Sequence, residues 1–340
     1  MGVWRSILQG ACLPVLTAAC AFAVETADWM RAVRDDTPLR CIAIPGAHDA
    51  ATAGMPWYAR TQDDDTAALL ANGVRYLDLR VSLEEGRPRI FHGPATGVGL
   101  DAVLQAVAAF LDAHPAECVL LDFQHFRNGA EKPALAALEA ALGTRLFTAP
   151  NAQDKPACVD ALTLSAVRGK AVVFWGSMQD PQLADARLFP RGNNAGTRPG
   201  ACLHSFYDEA AHTGESADFI ATALPRYLAR FAALRSGICV LQGQLTDGWG
   251  IRGPRSREDS HAAAMDAFVD SLASSPHLPA VNVIIRDFAT AEKNSKTIEL
   301  NRAKGVMEGT CSRPALSRHS KGAKRHAETD ARRGGWTYLH

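Results

Sequence analysis

The chain has 340 residues, 47% hydrophobic and 21% charged, with 36 basic and 36 acidic side chains that cancel at neutral pH. This composition excludes a disordered chain, and a body with no net positive field gives no reason to expect a nucleic-acid partner. With a leader removed, a mature region of roughly 300 residues can bury one large core as a single domain, expected as a monomer.

Residues 1–23 open with Arg5, continue into an apolar stretch from Ile7 and end in Ala21-Phe22-Ala23, a small-x-small cleavage pattern. Gly10 and Pro14 make the stretch a poor helix, so a signal peptide cut after Ala23 and a secreted or periplasmic protein are expected. Weaker alternatives are lipidation at Cys20 and myristoylation at Gly2. No later apolar run reaches the roughly 18 residues of a spanning helix, so membrane contact is expected to be peripheral.

Short β-branched apolar runs then recur at Cys41–Ile44, Val74–Val81, Arg89–Phe91, Cys118–Phe123, Ala171–Trp175, Ile238–Leu241 and Val281–Ile285, and read as buried strands. Between them, Leu100–Ala113 and Lys132–Leu142 carry apolar residues at helical spacing. Strand alternating with helix implies a parallel sheet. With Ala201–Phe206 as an eighth strand, the expectation is an α/β fold, an irregular (β/α)8 TIM-like barrel over residues 24–301, with the weakly patterned stretch Met178–Gly200 as its irregular part.

Eight cysteines are present, two of them in the leader. Cys41, Cys118 and Cys239 fall in apolar runs and read as inert core thiols; Cys158, Cys202 and Cys311 fall in loop-like sequence, where an exported protein could pair two of them. No CxxC spacing is present, so a structural zinc is not expected. Residues 302–340 hold nine Lys/Arg against three acids and read as a basic, flexible tail.

Ionisable residues gather after the strands: His48 and Asp49 after the first, Asp78 and Arg80 on the second, His92 after the third, and Asp287 after the last. In parallel α/β folds the carboxyl ends of the strands form the active-site face. Asp78 and Arg80 are two apart and share a face; with Tyr76 beside them and helices outside, that face is the barrel interior, where an ion pair needs a function. Asp122 and Gln124 share a face of the next strand, leaving Phe123 and His125 on the other; Asp122 reads either as a pocket residue or as a structural hydrogen-bonding one. His204 and Asp208 are unplaced candidates, and Tyr207 is expected to line the pocket.

Residues IAIPGAHDAATAGM, GVRYLDLRV, RIFHGP, ECVLLDFQHF, VLQGQLT and VNVIIRDFA, in that order, resemble the X domain of phosphatidylinositol-specific phospholipases C, of the bacterial type and of the X-domain-only proteins. The resemblance implies metal-independent cleavage of phosphatidylinositol-like phospholipids at a membrane surface, with no cofactor. It makes His48 the general base, His92 the general acid and Arg80 the phosphate-stabilising cation in place of a calcium ligand set. Asp287 orients the base, and Asp49 and Asp78 support Arg80 and the second histidine.

Two departures bear on the head group. The bacterial enzymes have an Arg after the GKxVxx strand, where this chain has Trp175-Gly176, and a Lys after the fourth strand, where it has Gln124 and His125. Alternatives are a lipid-binding protein without turnover, or a phosphodiesterase for another head group. Trp57-Tyr58 and Trp249 are candidate membrane-facing aromatics.

Overall fold

The computed structural model describes residues 26–192, 200–247 and 252–308. Ten strands form one sheet: β1 Ile44–Ala47, β2 Tyr76–Glu84, β3 Arg87–His92, β4 Ala95–Gly99, β5 Cys118–Arg127, β6 Lys170–Trp175, β7 Leu188–Pro190, β8 Leu203–Ser205, β9 Ile238–Gln242 and β10 Val283–Arg286. Without β3 and β4, the remaining eight lie in chain order, all parallel, and β1 pairs with both β2 and β10. The last gap is bridged beside β7 and β8, where Cys202 N–H donates to Pro190 O and Gly192 N–H to Leu203 O, each at 2.7 Å. The result is a nearly closed parallel barrel wrapped by helices.

Alternation along the strands separates two apolar regions. Ile44, Tyr76, Leu120, Val172, Phe189 and Val240 project into the barrel as one cluster. Their neighbours Leu77, Leu121 and Val173 pack outward against Val103, Val107 and Leu138 of the helices Leu100–Ala113 and Glu131–Leu142. Leu241 and Ile284 face outward against Tyr227, Phe231 and Met265. Gly46 lies on the inner face of β1, where a Cβ would stand 2.7 Å from Ile285 Cγ2 and 3.0 Å from Tyr76 Cδ1. Glycine there makes room for the Tyr76 ring.

Several expectations need correction. The Arg89–Phe91 run is not a barrel strand: β3 runs antiparallel to β2 after a two-residue turn, Glu85-Gly86, in which both residues have positive φ (49° and 75°). Such turns match strand twist and favour a tight hairpin. The stretch expected to be irregular contains β7 and the helix Asp180–Ala184. Cys41 ends a 3-10 turn, Leu39–Cys41, and is half-buried. The folded unit also runs past residue 301, with Val306 and Met307 buried and Met307 bridged to Val33. The five cysteines among the described residues are free thiols. The leader, Trp249, Cys311 and the tail beyond residue 308 lie outside the described residues.

Candidate active site

The apolar interior turns polar at the carboxyl ends of the strands. Asp78 and Arg80 continue the inward face of β2 above Tyr76, Asp122 continues that of β5, and His48 and Asp287 follow β1 and β10 directly. His92 arrives by a different route: the β2–β3 hairpin pairs Ile90 with Val81, so two residues later the chain has come back to the level of Leu79, one residue from Arg80. Of these residues, His48, His92 and Asp287 border a cleft of about 480 Å³ whose wall also includes Tyr58, Thr246 and Asp247.

The charged groups form one network. His48 Nδ1 lies 2.7 Å from Asp287 Oδ1. Asp49 stands between the two imidazoles, with its Oδ2 at 3.2 Å from both His48 Nε2 and His92 Nε2, while Oδ1 lies 2.6 Å from Arg80 Nε. Asp49 adopts φ 41°, and its backbone N–H donates to Asp78 Oδ2 at 3.3 Å. Arg80 Nη2 reaches Asp78 Oδ2 at 3.7 Å and His48 Nε2 at 3.4 Å. The imidazole centroids are 6.4 Å apart at 77°.

The ring nitrogens are not equivalent. His92 Nδ1 faces Ala59 O at 2.8 Å and its Nε2 faces a carboxylate, so both meet acceptors, and an imidazolium has a donor for each. His48 Nε2 faces the Asp49 carboxylate on one side and an Arg80 N–H on the other, so that nitrogen can satisfy a partner with or without its proton. Burial works against charge on His48, but the Asp49 and Asp287 carboxylates outweigh it and raise its pKa to about 9. Burial likewise opposes ionisation of Asp49, and Arg80, His92 and His48 together overcome it and hold that carboxyl below its ordinary range. Asp287 is pushed up by burial against the pull of His48, so the pair shares a tightly held proton.

Burial also opposes charge on Arg80; Asp49 and Asp78 outweigh it and raise its pKa. His48, Asp49 and Asp78 bring one ligand atom each within 4.8 Å of one another, the spacing of a metal site. The Arg80 guanidinium already lies against both carboxylates as a fixed cation.

The three expected substrate contacts, Asp122, Gln124 and Tyr207, are not among the residues that border this cleft. Asp122 is fully buried beneath the cleft, where it accepts from Tyr76 Oη at 2.5 Å and pairs with Arg191 Nε at 2.8 Å. Of its two readings, the structural one fits, because no surface remains for a substrate. Gln124 is buried at a β-bulge, and Tyr207 stacks on His212 at 4.4 Å and bonds Thr246, itself a cleft residue, at 2.9 Å. His204 is buried with both ring nitrogens unpartnered, and Asp208 caps the helix Glu209–Thr213 and pairs with Arg226.

The bulge reverses an expectation. β5 pairs Leu79 with Phe123 but Arg80 with His125, so Gln124 is the extra residue and His125 falls in register with Arg80. His125 reaches solvent but is partly screened from it by its neighbours; that partial desolvation and then the Arg80 charge lower its pKa, which keeps it neutral at pH 7. Strict alternation hides such a residue, since one inserted position shifts all that follow. Trp57 is 59% exposed and stacks edge-on against Tyr58 at the cleft rim.

The model of the family described as phosphatidylinositol-specific phospholipase C, X domain, matches residues 36–176. The 1-phosphatidylinositol phosphodiesterase of Listeria monocytogenes is 31% identical over 113 residues, which cover 31% of this chain and 35% of that protein. The PI-PLC X domain-containing protein 2 of Mus musculus is 29% identical over 182 residues, covering 42% of this chain and 51% of that protein. The chain thus spans about a third to a half of the length of these curated relatives.

Among solved structures, the phosphatidylinositol-specific phospholipase C from Listeria monocytogenes superposes with a TM-score of 0.64 at 21% identity, over 82% of this chain and 99% of that one. The phosphatidylinositol-specific phospholipase C of S. aureus gives 0.65 at 18%, over 81% and 97%. These two establish the barrel fold. His48, Asp49, Asp78, Arg80 and His92 all fall within residues 36–176, the stretch that matches the model of the phosphatidylinositol-specific phospholipase C X domain.

Proposed function

We propose that this chain is a metal-independent phosphodiesterase that cleaves phosphatidylinositol-like phospholipids to diacylglycerol and a cyclic inositol phosphate. The observation that carries the reading is the pair of imidazoles 6.4 Å apart, each against a carboxylate, with the Arg80 guanidinium beside them. His48 takes the proton of the inositol 2-hydroxyl, and the freed oxygen attacks phosphorus. The bond from phosphorus to the glycerol oxygen breaks, and His92 gives that oxygen its proton. One proton enters His48 and one leaves His92, so hydrolysis of the ring or exchange with water resets the pair.

Arg80 supplies the positive charge that the pentacoordinate phosphorane needs, aimed by Asp49 and Asp78 before substrate arrives. The exposed Trp57 and Tyr58 at the rim support contact with a lipid surface, because such rings partition to the bilayer interface. Export through the residue 1–23 signal goes with this reading.

Phosphorus NMR of products from phosphatidylinositol vesicles tests the proposal. A cyclic phosphodiester formed equally with and without EDTA is expected, and His48→Ala and His92→Ala should each lower turnover by at least 10²-fold. Loss of activity in EDTA, or unchanged turnover in both variants, would overturn it.

A further inference from the structure

Gln62 lies in the polar run Arg60–Asp65, which has no apolar pattern, yet it is fully buried. Both amide hydrogens and the amide oxygen are engaged. Nε2 donates to His48 O at 2.8 Å and to Arg286 O at 2.9 Å, and Oε1 accepts from Ala289 N–H at 3.0 Å. The amide orientation is fixed by chemistry: reversing it would set an oxygen against two carbonyl oxygens and an NH2 against an N–H.

The partners of this amide are the two segments that carry the His48–Asp287 pair. β1 and β10 pair up to Ala47 and Arg286, and there the strands end. His48 and Asp287 are the next residues on each side, where ladder bonds no longer set their spacing. One main-chain bond, His48 N–H to Arg286 O at 3.1 Å, crosses the gap, and Gln62 doubles it from the side. The neighbouring Thr61 continues the tie, since its hydroxyl bonds His48 O at 3.2 Å and Asp49 O at 2.9 Å, while its carbonyl accepts from Phe288 N–H at 2.7 Å. Phe288 itself has φ 46°, a conformation that a non-glycine residue keeps only when its surroundings impose it.

We infer that Gln62 is a positioning residue of the active site: its side-chain amide clamps the His48 and Asp287 segments together and so sets the imidazole–carboxylate contact on which the base depends. It touches no substrate and acts through His48. The inference rests on the reading of His48 as general base given above. A misplacement of about 1 Å in a catalytic group can cost up to about 100-fold in rate.

The test compares wild type, Gln62→Met and His48→Ala on phosphatidylinositol vesicles, with the His48 ring titrated by NMR. Gln62→Met keeps the shape and removes all three hydrogen bonds; kcat should fall by up to about 100-fold with KM little changed. The His48 titration should move down from about 9 as the Asp287 contact loosens. Gln62→Leu removes the same three hydrogen bonds with a shorter apolar side chain and carries the same expectation if the Met variant does not fold. If His48→Ala retains full turnover, the role given to His48 is wrong. If His48→Ala is inactive while both Gln62 variants match wild type in kcat and in the His48 titration, the positioning role is wrong and the base assignment stands.

Discussion

His48 is held between two carboxylates, and that has a kinetic consequence at the level of the single residue. A base must be neutral to take a proton, and the free site keeps this ring protonated up to about pH 9. The kcat/KM profile, which reports the free enzyme, should therefore rise with pH through that value. Asp287→Asn removes one of the two stabilising charges, so the rising limb should move toward the ordinary histidine value near 6.5 while kcat falls. A limb that stays in place after that substitution would show that another group controls it. His48, Arg80 and Asp287 were legible in the sequence because each directly follows or sits on a strong strand pattern. Gln62 and His125 were not: one is buried from a loop by three hydrogen bonds, and the other is turned by a bulge that leaves no mark in residue order.

Elements explain how distant stretches meet at one mouth. Strand identity was readable from apolar runs, and both long helices beside the hairpin were readable from their spacing, because a doubly covered parallel strand needs nothing but apolar side chains. The hairpin was misread since β3 is short and mixed, and β7 escaped notice because three residues carry too little pattern. The inner layer of β1, β2 and β10 is the tightest point of this assembly. Gly46→Ala would drive a methyl group into Ile285 and Tyr76, and forced overpacking of this kind costs about 1–3 kcal/mol. Urea unfolding should show that loss. The proposed activity should fall as well, because Tyr76 anchors Asp122 directly below the His48–Arg80 network. An unchanged midpoint would mean that the barrel accommodates the methyl group by expanding.

Across the whole molecule, buried histidines of opposite kinds set the pH range of stability. His48 is stabilised as a cation: its contribution is complete below about 6.5, and it is lost as pH rises toward about 9. His212 behaves in the reverse sense. It is fully buried, donates through Nδ1 to Gln244 O at 2.7 Å, stacks on Tyr207 with Phe219 tilted against it, and leaves Nε2 without a partner among the described residues. Burial lowers its pKa to about 4, helped by the His48 and His261 charges and opposed by the Gln244 carbonyl and Asp208. The unfolded chain takes up that proton near 6.5 and the folded chain only near 4, so stability falls as pH drops through this window, by about 3 kcal/mol in all. Lys304, lowered by burial to about 8, adds stability only as pH rises above that value and leaves the acid side untouched. His212→Phe keeps the stacked ring and cannot titrate. It should cost stability at pH 7, where the bond to Gln244 is lost, and the deficit should shrink or reverse as pH falls from 6.5 to 4. Parallel curves of unfolding free energy for the two proteins would show that His212 is not the source of the acid sensitivity. Since Thr246 N–H donates to His212 O at 2.9 Å and Thr246 lines the cleft, the same protonation should loosen the catalytic wall before the barrel itself unfolds.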